Sequence, residues 1–303
     1  MLYEIVKTLG GDVYAAGRQA NIPGPNHSRR DRSVSVFLNR DGRVIVNSHV
    51  DDDWRDILKM LRDKQLIDEA GRPIVGGVAA VTTTEVWTDG DKQSAVERIW
   101  STGVPLCSSL SERYLRETRG IDWELPDCGM LHCPSIPVSA YDKDARFKKP
   151  GLILKIEDAA GAICGLQLHY LTSPGVLDTR LSVPRKTIGN YRPGWRVRID
   201  CDAEEMVIGT GFFSTLSACR HFGVPGVAML SDKNLKHWRP GPNTHSVIIA
   251  ADNDRGGLES ADEARQVLSR LGIRARVEVE PHGLNDFNDY DRKKAQKNGT
   301  FLN

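Results

Sequence analysis

Asp252 and Asp254 sit one residue apart in Asp252-Asn253-Asp254-Arg255-Gly256-Gly257, directly after the apolar run Val247-Ile248-Ile249-Ala250-Ala251. Such a run reads as a buried strand of a parallel sheet, and the carboxyl edge of an open α/β sheet is where ligands bind. Two carboxylates at i and i+2, with the chain turning between them, can converge on a hard cation such as Mg²⁺. Taken alone, the pattern better suits a plain helix N-terminus, where Asp is a good cap. It is joined by a second acidic stretch one strand later, Gly283-Leu284-Asn285-Asp286-Phe287-Asn288-Asp289. Asp232, after an earlier strand, is a spare carboxylate that fits a surface turn better.

Two basic stretches suit nucleic acid. Arg185, Lys186, Arg192, Arg196 and Arg198 are interleaved with Tyr191 and Trp195. Cations pair with phosphates and aromatic rings stack on bases, so the mixture suits a single strand. A sheet edge with charged outer residues would look the same. Arg29, Arg30 and Arg32 lie in Pro25-Asn26-His27-Ser28-Arg29-Arg30-Asp31-Arg32-Ser33 and suit a phosphate patch.

These residues need a scaffold. The last third of the chain alternates strand and helix, the pattern of a parallel sheet. Met206-Val207-Ile208 is a strand, and Gly209-Thr210-Gly211 turns into a helix. Strands at 226–230 and 247–251 follow, then a helix with Ala261, Ala264, Leu268 and Leu271 on one face, and a last strand at 275–279. The N-terminal stretch reads as a hairpin, with strands at 33–38 and 43–47 around Asn39-Arg40-Asp41-Gly42, where Asp-Gly tolerates the positive φ required. A helix capped by Asp52 or Asp53 follows, with Trp54, Ile57, Leu58 and Leu61 on one apolar face. Residues 72–92 read as a connector with one strand at most. Two helices come next, one with Val96, Ile99 and Trp100 on a face, one opened by Ser109 with Glu112 and closed at Gly120. Irregular Pro-rich chain is expected over 126–150, then a hairpin over 151–171.

The 303 residues carry a formal net charge of only +1, so any nucleic-acid surface is local. No run of eighteen apolar residues exists, so no membrane partner is expected. The N-terminal residues lack the pattern of a secretory signal, and cytoplasmic residence is the expectation. Cys107, Cys128, Cys133, Cys164, Cys201 and Cys219 form no CxxC pair and read as free buried thiols. No GxxxxGK[ST] loop occurs, so ATP-driven unwinding is not encoded in these residues.

The order strand, Gly-containing turn and helix, strand, strand with DxD, then Asn-Asp loop resembles the Toprim domain of bacterial primases, type IA and II topoisomerases and some nucleases. It is most similar to the phage, plasmid and prophage DNA-primase type. There the first motif usually reads Glu-Gly-Ile-Glu-Thr-Ala-Leu, against Thr210-Gly211-Phe212-Phe213-Ser214-Thr215-Leu216 here. The late loop usually reads Lys-Asp-Trp-Asn-Asp, against Asn285-Asp286-Phe287-Asn288-Asp289. The N-terminal unit resembles a primase zinc ribbon that has lost its cysteines. Only His27 and His49 remain, so no zinc is expected, since a structural site needs four ligands.

The resemblance implies an α/β protein in three parts. A zinc-ribbon-like hairpin and helix spans 1–75, a primase-like helical and basic β region 76–200, and a Toprim domain 201–303. It implies Mg²⁺ or Mn²⁺ bound weakly at Asp252, Asp254 and Asp286. It implies single-stranded DNA held by Arg185, Lys186, Arg192, Arg196 and Arg198, with Arg29, Arg30 and Arg32 adding phosphate contacts. Nucleoside triphosphates and a replicative helicase are the remaining implied partners, and primer synthesis in replication of a mobile element is the implied activity. Thr210, standing where the family has its first Glu, implies the alternative: a catalytically degenerate Toprim protein, a pseudoenzyme, that binds nucleic acid or interferes with a partner. A hydroxyl cannot exchange a proton near neutral pH as a carboxylate does. Glu204 and Glu205 lie at the far end of the strand, ~17 Å away, and cannot take its place.

Overall fold

The computed structural model describes residues 2–14, 17–39, 42–48, 50, 52–74, 87–126, 128–181, 183–190 and 192–297. Arg40, Asp41, His49, Tyr191 and the connector residues 75–86, all named above, lie outside the described residues. The chain divides into two compact units, Met1–Val86 and Trp87–Asn303.

The first unit holds α1 (Tyr3–Leu9), β1 (Asp12–Tyr14), β2 (Gln19–Ile22), β3 (Val34–Leu38), β4 (Val44–Ser48) and α2 (Trp54–Asp63). The strands form one antiparallel sheet in the order β1-β2-β3-β4. The expected hairpin is its second half; α1, β1 and β2 were not anticipated. Alternation places Ala20, Ile22, Val34, Val36 and Val44 on one buried face, against Ile5, Ile57 and Leu61. Asp53 caps α2, accepting from the Arg55 amide at 2.8 Å. Trp54 departs from the expected apolar face: it is 53% exposed, with the Arg55 guanidinium 4.8 Å from its ring centre. It is the first helical residue, one turn before the Ile57–Leu61 pair that meets the sheet.

The second unit opens with α3 (Asp89–Trp100) and α4 (Leu110–Arg113), which runs into a π-helical turn at Tyr114–Thr118. Thr88 and Asp91 form a full capping box on α3. At α4, Ser109 caps as expected, while the Glu112 carboxylate takes the Ser108 amide instead of closing the box. Next come β5 (Met130–Pro137), β6 (Lys148–Glu157), β7 (Ile163–Tyr170) and β8 (Arg185–Gly189), an antiparallel meander in that order. Residues 126–150 are therefore less irregular than expected. β5 is an edge strand whose register shifts between Cys133 and Ile136, so exposed Pro134 falls at a bulge, where proline is tolerated.

The third sheet is built from β9 (Val197–Ile199), β10 (Glu205–Gly209), β11 (Gly226–Ala228), β12 (Ser246–Ala250) and β13 (Arg274–Glu278). Its order is β13-β12-β10-β11-β9, parallel throughout except for β9. The helices are α5 (Phe212–Phe222), α6 (Asp232–Leu235), α7 (Arg255–Arg270) and α8 (Phe287–Lys297). Successive strand residues face opposite sides. Met206, Ile208, Val247 and Ile249 pack with Ala261, Ala264 and Leu268 of α7. Val207 and Ile248 pack with Phe212, Phe213 and Leu216 of α5 and with Leu152 and Leu154 of β6. Both faces are covered, which is why these strands read as continuous apolar runs. Each fully buried aliphatic or aromatic side chain stabilises this arrangement by roughly 1.5–3 kcal/mol.

No described helix is long and apolar enough to cross a membrane. Cys107 and Cys201 are exposed, contrary to the expectation of buried thiols; the other four are buried, and all six are free.

Candidate functional site

The register of the parallel strands puts one row of residues at the carboxyl edge. Gly209 pairs with Ala228 and with Ala250, and Ala250 pairs with Glu278. The chain leaves that row as Thr210 after β10 and as Asp252 after β12. Close packing there requires glycine. A Cβ on Gly257 would lie 2.5 Å from the Asp252 carbonyl oxygen, and one on Gly209 2.5 Å from the Thr215 hydroxyl. The late acidic loop is tied to the same edge: the Asn253 amide donates to the Asn285 carbonyl at 2.7 Å, and its side chain to the Leu284 carbonyl at 3.3 Å.

Five aspartates gather as a result. Burial, and then the charges of Asp286, Asp254, Asp232 and Asp289, push the Asp252 carboxyl from 3.8 up to about 6. Burial also raises Asp286, while the amides of Asp289 and Asn288 and the charge of Arg119 pull it back. Asp232 is raised by desolvation and then by Asp254. It thus belongs to the cluster and is more than the surface-turn residue expected. Asp254 does cap α7, accepting from the Gly257 amide at 2.7 Å. Asp286 accepts from the Asp289 amide at 2.9 Å at the start of α8. Each carboxylate has a second oxygen, so capping and a ligand role are compatible. Asn288 turns inward instead: it is 2% exposed and donates to the Arg119 carbonyl and the Ser217 hydroxyl.

The donor chemistry fits a hard divalent cation, for these are oxygen ligands whose mutual repulsion a cation would relieve. Among the described residues, no three His, Cys, Asp or Glu side chains already form a coordination group. Mg²⁺ ordinarily keeps several waters and takes one or two carboxylates plus substrate phosphates.

Thr210 is half-buried beside this cluster. Phe213, at the family's second Glu position, is 6% exposed. Its ring lies edge-on to Tyr114 at 5.8 Å and to His169 at 5.5 Å, with the Arg119 guanidinium 4.3 Å from its centre. Arg119 Nε donates to the Tyr114 hydroxyl at 2.9 Å. An aromatic group therefore fills that place, and it faces protein.

Residues 205–297 match the family described as the Toprim domain. They form a Toprim domain. Residues 90–199, ahead of the Toprim domain, match a family described as a domain of unknown function. No curated protein matches the chain. Among solved structures, the chain is similar to the zinc-binding and RNA polymerase domains of the Aquifex aeolicus primase, at 14% identity over 97% of this chain and 81% of that one, with a TM-score of 0.45. The primase fragment of the bacteriophage T7 primase-helicase is 17% identical over 92% of this chain and 95% of its own, with a TM-score of 0.38. A DNA primase domain from Pseudomonas aeruginosa is 17% identical over 52% and 54%, with a TM-score of 0.36.

The basic stretch is split between two sheets. Arg185 lies on edge strand β8 of the meander and is exposed, as is Arg192. Lys186 corrects the expectation: its chain turns inward, Nζ lies 3.3 Å from the Val138 carbonyl, and burial lowers its pKa. Arg196 precedes β9 and Arg198 lies in it, at the edge of the five-stranded sheet. Arg196 is half-buried and exchanges backbone hydrogen bonds with Glu157, and Arg198 pairs with the buried Glu157 carboxylate at 3.5 Å. Trp195 packs on the core and offers no exposed platform. Arg185 and Arg192 are thus the exposed cations of the five.

In the first unit, Arg32 holds Asp12 at 2.7 Å and donates to the Arg29 and Asp31 carbonyls, while Arg29 donates to the Lys7 carbonyl. These two arginines brace the loop; Arg30 is exposed. His27 stands between two acids, Nδ1 at 2.9 Å from Asp31 and Nε2 at 3.4 Å from Asp52. The hydrogen bond to Asp31, with the charges of Asp52 and Asp31, raises its pKa against a smaller desolvation effect. Opposite ring nitrogens are engaged, so this trio cannot chelate one ion. The sequence had singled out His27 as a ligand remnant, and only the spatial approach of Asp31 and Asp52 shows its present partners.

Proposed function

We propose that the chain is a primase-type Toprim protein that acts on single-stranded DNA in the replication of a mobile element and catalyses nucleotidyl transfer poorly. The observation that carries this is the gathering of Asp252, Asp254, Asp286, Asp232 and Asp289 at the carboxyl edge of the Toprim sheet, where Thr210 follows β10. Asp252, Asp254 and Asp286 would hold Mg²⁺ or Mn²⁺, which when bound orients a nucleoside triphosphate and activates an attacking 3′-hydroxyl. Arg185 and Arg192 would hold template phosphates. The Thr210 hydroxyl can donate or accept one hydrogen bond, but it takes no proton at neutral pH. A replicative helicase is the partner such a protein would serve.

Thr210 and the buried Phe213 favour a second outcome on the same fold, a protein that binds DNA or a partner without synthesis. Primer synthesis on a single-stranded template, with Mg²⁺ and with Mn²⁺, separates the two. Trace synthesis by wild type, raised on the order of 10²-fold by Thr210→Glu and lost in Asp254→Asn, is the expected result. Asparagine keeps the cap, so that variant removes the charge alone. Robust synthesis by wild type would refute the impaired-site reading. No synthesis by wild type or Thr210→Glu, with DNA binding intact, would establish the binding role instead.

A further inference from the structure

Outside the aspartate cluster, the loop after β13 carries an arrangement with no evident structural purpose. The rings of His282 and Tyr290 stack with centroids 4.5 Å apart and planes 23° from parallel. Both are accessible: the His282 side chain is 56% exposed and Tyr290 39%. The stack is rigidly held. Glu280, 2% exposed, accepts from His282 Nδ1 at 2.6 Å and, through its other oxygen, from the amides of His282 at 2.8 Å and Leu284 at 2.9 Å. A buried carboxylate thus fixes the orientation of an exposed ring.

The position matters as much as the rigidity. Tyr290 lies in the first turn of α8, four residues after Asp286, which precedes the helix and accepts from the Asp289 amide. The same loop is bonded through Leu284 and Asn285 to Asn253, between the two aspartates of the β12 edge. The loop that carries the stack is therefore tied to the edge that carries the acidic cluster.

We propose that the His282–Tyr290 stack is a platform for the base of a nucleotide whose phosphates reach the cation held by Asp252 and Asp286; this rests on the cation-site reading above. Every base has a π face, so the platform accepts any of the four with small differences. Glu280 acts as a positioning residue for the imidazole.

The full-length protein with Mn²⁺ would be titrated with etheno-ATP, read by fluorescence quenching, and with inorganic triphosphate, which has no base. Wild type should bind the nucleotide on the order of tenfold more tightly than triphosphate, the scale of one base stack. Tyr290→Ala and Tyr290→Leu should lose that preference, and Tyr290→Phe should keep it. Leucine retains the apolar bulk, which separates loss of the ring from loss of packing. If wild type binds both probes equally, and both are lost in Asp252→Asn, the platform is wrong and the cation site stands. Nucleotide preference that survives in Tyr290→Leu and His282→Ala also overturns the platform. Binding of neither probe overturns both.

Discussion

Removing a carboxylate from the aspartate cluster should stabilise the protein. Asp252 is the most perturbed member, its carboxyl raised from 3.8 to about 6 by burial and then by four neighbouring acids. Because the folded value lies above the unfolded one, the folded chain binds more protons than the unfolded chain between those limits. Stability therefore falls as pH rises through the window from 3.8 to about 6, and the full penalty applies above it. At about 1.4 kcal/mol per pK unit the charge costs up to roughly 3 kcal/mol. Asp252 is only half-buried, and solvent screening reduces this to about 1–2 kcal/mol. Asparagine has nearly the same shape and no charge. Asp252→Asn should raise Tm by about 2–8 °C at pH 8 in EDTA, on the scale of 2–4 °C per kcal/mol for a unit of this size. At pH 4.5 the gain should largely vanish, since the wild-type carboxyl is then protonated in the fold. Millimolar Mn²⁺ should reverse the ranking at pH 8 by stabilising wild type alone. Thermal melts followed by circular dichroism read all three. A lower Tm for Asp252→Asn at pH 8 in EDTA, or an equal gain at both pH values, would refute the account of the cluster as unneutralised charge.

Phe213→Glu, unlike Thr210→Glu, should not be tolerated, because the new carboxylate would enter the Tyr114–His169 cluster; a loss of about 3 kcal/mol or more in chemical denaturation is expected, and near-wild-type stability would show that the pocket opens to water. Single-stranded DNA affinity should lose about 0.7 of its salt slope for each of Arg185→Ala and Arg192→Ala, with no change for Lys186→Met, whose amine is bound to Val138; slopes equal to wild type in both arginine variants would dismiss the patch. His27→Ala should destabilise the first unit more at pH 6 than at pH 8.5. The raised His27 pKa means that its contribution is full below the unfolded value and fades as pH rises through the folded one. Elemental analysis should find no zinc in the wild type, and stoichiometric zinc lost in His27→Ala would overturn this.

The alternation of strand and helical patterns was enough to place β10, β12, α7 and β13: β10 and β12 are buried on both faces and read as continuous apolar runs, while the edge strand β13 alternates apolar and charged residues. The turn residues around Asp252 and Asp286 were equally legible, since caps and tight turns are local chemistry. The first two strands of the N-terminal sheet were not, because three- and four-residue strands carry too little periodicity to register. β5 was masked by its prolines, Pro134 and Pro137; the place of Pro134 at a bulge on an edge depends on the neighbouring strand.

Which side chains face the site was decided by tertiary packing alone. Lys186 and Arg198 read as phosphate ligands because charge is visible in sequence, while the Val138 carbonyl and the buried Glu157 that hold them come from distant segments. Phe213 read as a vacant catalytic position, yet it packs beneath Arg119 and against Tyr114, nearly a hundred positions away. Asp232 and Asp289 joined the cluster only once the strand register aligned the loops. Sequence by itself determines what local geometry and periodicity encode: the Toprim order of elements, the acidic loops and the missing carboxylate at Thr210. The tertiary structure determines which charges remain free, because neutralisation and burial depend on partners that only the folded chain brings within a few ångströms.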